Sequence, residues 1–223
     1  PTPWAELARY TKIVRRLKWK LPFLAHGYNA ATDQTYTGEQ REEAELMFKL
    51  DFFEYYMLLE RALVHLLGVF GIQVTGGFGD RPADATGRQR QADHHFHANV
   101  LGALDDPRNP LHEALGKSDV RSALTRAKEL RNRWKNADDP DTALAVRLTA
   151  GGHAARPLKE YDLGSILDLI FAGFDHGFRI ADRYVAEVRS LTAQRGVNGS
   201  ADPASGQTEE WEFMTDAMDW EAV

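Results

Sequence analysis

The sequence predicts an all-α fold, a helical bundle with two long antiparallel core helices, several shorter helices and a tethered C-terminal amphipathic helix. Three observations lead there. Apolar residues recur at helical spacing, most plainly Val120, Ala123, Leu124, Ala127, Leu130 and Trp134, which form one stripe. Helix-starting signals precede the long apolar segments. No segment alternates with period two for long enough to make a strand.

Thr2 and Pro3 form an N-cap and first-turn pair, and the helix they open runs toward Leu24 with Pro22 expected to kink or break it. Asn29 to Thr37 reads as a polar connector. Thr37-Gly38-Glu39-Gln40 is a capping-box pattern, in which the hydroxyl and the amide each satisfy an orphan backbone N–H. The helix it starts should end near Gly68 or Gly71. From Phe52 to Phe70 that helix is apolar nearly all round, which predicts a place at the centre of the fold.

The next segment, with Gly76, Gly77, Gly79 and Gly87, lacks the Gly-Lys-Ser/Thr ending of a phosphate-binding loop. Short helices are expected from Asp93 to Leu104 and from Leu111 to Leu115, with a turn between them at Asp105 to Pro110. Ser118 is expected to cap the following helix, which ends near Asn136 to Asp139. Asp139-Pro140 looks like a further cap, and Gly151-Gly152 a break. Tyr161 to Leu191 is the last long helix. Gln194 to Thr208, rich in small and polar residues, reads as a flexible tether. The organisation is therefore a bundle domain at 1–193, a linker at 194–208 and an acidic-aromatic peptide helix at 209–223.

Composition narrows the function. The chain has 223 residues, enough for one domain with a substantial core. Its formal charge of −6 gives no global basic field to draw nucleic acid or an anionic membrane. It contains no cysteine, which excludes disulfides, thiolate metal sites and cysteine nucleophiles and favours an intracellular compartment, cytoplasm or nucleus. Arg15, Arg16, Lys18 and Lys20 interrupt the first apolar segment, so no signal peptide is expected. The most apolar run, Leu58 to Ile72, carries Glu60, Arg61 and His65 and is too short to cross a bilayer. The sequon Asn198-Gly199-Ser200 is then expected to be accidental. No membrane partner and no cofactor is expected.

The chemistry-bearing residues begin with Arg131. It lies eleven positions after Val120, which at 3.6 residues per turn puts it on the buried stripe. A guanidinium facing a core must find acceptors or line a cleft, because an unpaired buried charge is very costly. On the central helix Asp51, Glu54, Arg61 and His65 share one face. The simplest expectation is an internal network of Glu54, Arg61, His65 and Arg131. The sharper one is a polar groove for a ligand, RNA or a partner, with Asn132 and Asn136 beside Arg131.

A long helix carrying Leu58-Leu59-Glu60-Arg61-Ala62-Leu63, followed by a helix with Glu129-Leu130-Arg131-Asn132, resembles the HEPN superfamily. The resemblance covers about Glu39 to Asn136 and the last long helix. It implies a helical bundle, commonly dimeric, and in many members a metal-independent ribonuclease. There an arginine followed by a polar residue stabilises phosphate charge, and a histidine about one turn further on assists proton transfer. Arg131 and Asn132 match the first two positions, but Asn136 stands where the histidine belongs, and no histidine follows until His153. Asparagine has no side-chain pKa near neutrality and cannot act as general acid or base. The resemblance thus implies a bundle that has lost catalysis, or a ribonuclease or RNA-binding protein in which His65 or a residue of a dimer mate stands in.

Other clusters point elsewhere. His94 and His97, on one helical face beside His95, could offer zinc two ligands, with Asp84, Asp93 or His112 as a third, but no motif supplies a general base and no metal is expected. Arg121, Lys128 and Lys135, with Arg126 and Arg133 to the sides, give the Arg131 helix a basic face expected to be solvated. Lys12, Arg15, Arg16, Lys18 and Lys20 form a second basic cluster. In the terminal segment Trp211, Met214 and Met218 fall at i, i+3 and i+7, and Phe213, Ala217 and Trp220 make a second apolar line among carboxylates. An aromatic-acidic amphipathic helix beyond a tether is built to lie in a groove. The function expected is an interaction or scaffold module, homodimeric, that recruits or clasps a protein through Trp211, Phe213, Met214, Met218 and Trp220.

Overall fold

The computed structural model describes residues 1–74, 99–139 and 157–198. Among these, every regular element is helical and none is a strand. The long helices are α1 (Pro3–Thr32), α2 (Gly38–Val69) and α5 (Leu163–Asn198), with α3 (His112–Leu115), α4 (Ser118–Trp134) and a 3₁₀ turn (Leu158–Glu160) between them. Residues 99–105 are also helical. The chain divides into two units, Pro1–Val185 and Ala186–Val223. All packing described below lies within the first.

The capping box forms as expected: Thr37 Oγ1 accepts from Gln40 N–H at 3.4 Å, while Gln40 Oε1 accepts from Thr37 N–H at 3.2 Å. α2 stops because Gly71 takes a left-handed φ of +72°, which lets Ile72 N–H reach back to the Leu67 carbonyl at 3.2 Å. Phe48, Phe52, Leu59, Leu63, Leu66 and Leu67 are each at most 1% exposed, so α2 occupies the centre.

α1 runs antiparallel to α2, with Glu6 beside His65, Tyr55 beside Leu17 and Tyr28 beside Phe48. α5 runs antiparallel to α1, since Tyr10 meets Phe174 and Phe178 while Lys18, two turns further on, meets Phe171 and Asp175. The buried Tyr10 hydroxyl donates to the Phe174 carbonyl at 2.9 Å. Close approach of α5 to α3 and α4 needs Gly173, where a methyl group would fall 2.5 Å from Val120 Cγ1 and 2.9 Å from Leu115 Cδ2. Trp134 closes the core by standing edge-on to Phe52, Phe48 and Tyr161 at centroid distances of 5.0, 5.9 and 5.9 Å.

Several boundaries differ from expectation. Pro22 neither breaks α1 nor ends it, and the helix consumes the first half of the expected connector by continuing to Thr32. Pro22 faces solvent, where water can satisfy the Lys18 carbonyl its ring displaces, while Leu17 and Leu24 hold both halves of α1 to the core. Ser118 is the first residue of α4 rather than its cap, at a left-handed φ of 54°, and Lys117 occupies the cap position. The last helix extends to Asn198, so residues 194–198 are helical rather than tether. The glycine-rich loop, the start of the Asp93 helix, the Asp139-Pro140 cap beyond Asp139, Gly151-Gly152 and the terminal peptide all lie outside the described residues.

Candidate functional site

Arg131 is buried as its spacing requires, at 2% exposure. It sits in the seam between α4 and α2, facing Phe53 and Met57 at i and i+4 of α2. Its Nη1 donates to Asn132 Oδ1 at 3.0 Å, and its Nη2 approaches Met57 Sδ at 3.5 Å. The guanidinium carbon lies 5.0 Å from the Phe53 ring centroid, a cation–π contact. Asn132, the next residue along α4, thus supplies one acceptor to the guanidinium.

The second charge of the seam is Glu60, 3% exposed. Burial pushes the Tyr56 hydroxyl up, the Glu60 carboxylate adds to that, and Arg131 and Arg121 oppose it. Burial likewise lowers the Lys128 ammonium, with Glu60 acting against the shift and Arg121 and Arg131 reinforcing it. Glu60, Arg131, Lys128, Arg121 and Tyr56 thus share one electrostatic neighbourhood along α2 and α4. Arg121 is clamped from outside by Asp105, its Nε and Nη2 donating to the two carboxylate oxygens at 2.6 and 2.8 Å. That pairing holds the Asp105 carboxyl below the usual carboxylate range.

The expected network of Glu54, Arg61, His65 and Arg131 does not form around the guanidinium. Glu54, Arg61 and Asp51 are exposed, because Phe52, Tyr55, Tyr56, Leu59 and Leu63 take the sides of α2 that meet other helices. Glu60 lies off the polar stripe of Asp51, Glu54, Arg61 and His65, so periodicity does not single it out. The signal was its position seven residues after Phe53 on a helix otherwise apolar nearly all round.

His65 is also placed elsewhere. Its Nδ1 is 2.7 Å from Glu6 Oε2 of α1, and Arg9 Nη1 donates to the other oxygen at 3.1 Å. Gly68 makes room for this group, since a methyl there would lie 2.9 Å from Glu6 Oε2. His65 stands eight residues beyond Met57, about 12 Å along α2 at 1.5 Å per residue. The structure does not bring it to Arg131. Asn136 lies just past the end of α4 and is half-buried.

The basic face of α4 is only partly solvated. Arg121, Lys128 and Lys135 are half-buried, Arg133 donates to the Tyr161 hydroxyl, and Arg126 is exposed. His112 is a structural residue whose Nδ1 lies 2.8 Å from the Leu104 carbonyl, next to the turn held by Asn109. Among the described residues no three His, Asp or Glu side chains are grouped to hold a metal. His94, His95 and His97 lie outside the described residues, as do Trp211, Phe213, Met214, Met218 and Trp220. No described helix is long and apolar enough to cross a membrane.

One feature had no sequence signal. A cleft of about 470 Å³ opens where α1, α2, the 3₁₀ turn and the start of α5 meet. Its apolar lining includes Leu24, Tyr28, Phe48, Phe52 and Leu163, with Asn29, Lys159, Asp162 and Asp168 also present. The Ser165 side chain and, after it, the Ser165 N–H donating to Asp162 Oδ1 at 3.3 Å hold the Asp162 carboxyl low. Non-local meetings of four elements leave no trace in local periodicity. Compared with known protein families, curated proteins and solved structures, the chain matches none of them.

Proposed function

We propose that this protein is a non-catalytic helical interaction or scaffold module, similar to a HEPN-like bundle without its histidine. On this reading it is a homodimer that recruits or clasps a protein through its C-terminal segment. The observation that supports it is the sealing of Arg131 between α2 and α4, with Asn132, Met57 and Phe53 around its guanidinium. A side chain 2% exposed is poorly placed to meet a phosphate arriving from solvent.

Acid–base chemistry is also poorly served there. Attack by a ribose hydroxyl needs a group that exchanges a proton near neutrality within hydrogen-bond reach. Tyr56, the neighbouring phenol, is held protonated far above neutrality by burial. His65 is engaged with Glu6 on another part of α2. The ribonuclease alternative would need the α2–α4 seam to open, at the cost of exposing Phe53 and unburying Glu60. What remains for function is contact, and the terminal segment with Trp211, Phe213, Met214, Met218 and Trp220 is the strongest contact signal in the chain.

Replacing Trp211 and Trp220 together by alanine tests this. The expected result is a changed oligomeric state or lost capture of a partner in pull-downs, with an unaltered helical circular dichroism spectrum. Identical assembly and capture profiles in the double variant would contradict the proposal.

A further inference from the structure

α1 carries an unusual surface. Between Leu7 and Thr32 the chain has six cations (Arg9, Lys12, Arg15, Arg16, Lys18 and Lys20) and no carboxylate, within a protein whose formal charge is −6. Lys12, Arg15, Arg16 and Lys18 are exposed. Among them stand Trp19 and Phe23, 67% and 61% exposed, the two most exposed large apolar side chains among the described residues. They lie one turn apart with ring centroids 5.2 Å from each other. Two adjacent rings left in water are a small apolar patch with a cost, and patches of that kind mark contact sites.

The chain holds a segment of the opposite character. Between Glu209 and Val223 there are six carboxylates (Glu209, Glu210, Glu212, Asp216, Asp219 and Glu221) and no cation, interleaved with Trp211, Phe213, Met214, Met218 and Trp220. Aromatic and sulfur-bearing side chains of such a segment can cover Trp19 and Phe23 while its carboxylates meet the cations on either side. We infer that the α1 face centred on Trp19 and Phe23 is the docking site for the acidic-aromatic terminal segment of a second copy. This rests on the functional reading above and gives its terminal segment a receptor. Two copies that each lend a terminal segment to the other's α1 form a closed pair, which limits assembly to a dimer.

Anionic membranes suit this face less well. A helix that lies in a bilayer interface needs a segregated apolar face, whereas the exposed stripe of α1 offers two rings set among cations. Its other side is occupied by Leu7, Tyr10, Leu17 and Leu24 in the core.

The test is sedimentation velocity on the full chain over a concentration series. The wild-type protein should form a reversible dimer that weakens at least tenfold in high salt, where the screening length shrinks to about 3 Å at 1 M. Lys12→Glu/Arg15→Glu/Arg16→Glu should be monomeric, as should Glu209→Lys/Glu210→Lys/Glu212→Lys. Mixed in equal amounts the two variants should dimerise again, because the unaltered α1 of one copy then meets the unaltered terminal segment of the other. Trp19→Ala/Phe23→Ala should weaken the dimer at least tenfold with its helicity intact.

A mixture that stays monomeric overturns the inference, as does a wild-type chain that is monomeric at every concentration. If the tryptophan variant of the terminal segment loses assembly or partner capture while the α1 variants behave as wild type, this docking site falls and the recruitment function stands. If neither set changes anything, both fall. Anionic vesicles or a single-stranded RNA that bind the wild type but not the α1 variant, with no self-association, would also overturn it.

Discussion

Arg131 was legible from spacing alone, because the buried stripe of α4 is narrow and an arginine eleven residues along it has nowhere else to point. Its partners were not. Periodicity fixes a side chain's direction relative to its own helix, and it does not name the neighbour on the next one. Glu54 and Arg61 align on a wheel but look out to solvent, while Glu60 turns inward beside α4. Arg131→Ala should destabilise the fold by about 2–4 kcal/mol, through lost packing and a disturbed charge balance around Glu60, measured by urea unfolding. A loss under about 1 kcal/mol would mean that the seam relaxes freely.

Asp105 gives a pH dependence whose sign follows from its lowered folded pKa. Its pairing with Arg121 contributes above the unfolded carboxylate value near 4 and is lost as pH falls below it. The pair is half exposed on the carboxylate side, so the contribution should be under about 1 kcal/mol. Asp105→Asn should flatten the acid limb of a plot of Tm against pH and leave its neutral plateau nearly level. An unchanged acid limb would show that other carboxylates carry it.

The helices themselves were largely readable, since Thr37 and Gln40, the stripe of α4 and the apolar run of α2 are local signals. Pro22 does not break α1, because its effect depends on where the ring points. A solvent-facing proline leaves a carbonyl that water can satisfy, and packing on both sides carries α1 through. The cost of a proline in a helix interior remains, so Pro22→Ala should raise stability by about 1–3 kcal/mol. A lower Tm in that variant would show that the ring makes a contact worth more than the missing hydrogen bond. Gly173 makes the opposite case. Adding a methyl where Val120 and Leu115 already crowd should cost about 1–3 kcal/mol, and a neutral Gly173→Ala would mean that α3 and α4 shift without penalty.

For the molecule as a unit, the all-helical bundle followed from the sequence because helix signals are short-range. Which faces would be left outside did not follow. The exposed aromatic pair on α1 and the cleft beside Tyr28 and Phe48 exist only once three long helices have chosen their mutual sides. The most direct measurement is incubation of the purified full chain at high concentration with single-stranded RNA in EDTA. Intact RNA is the expected result. Cleavage that disappears in an Arg131→Ala protein with unchanged helical circular dichroism would show the guanidinium at work on phosphate, and would contradict a purely structural role for it.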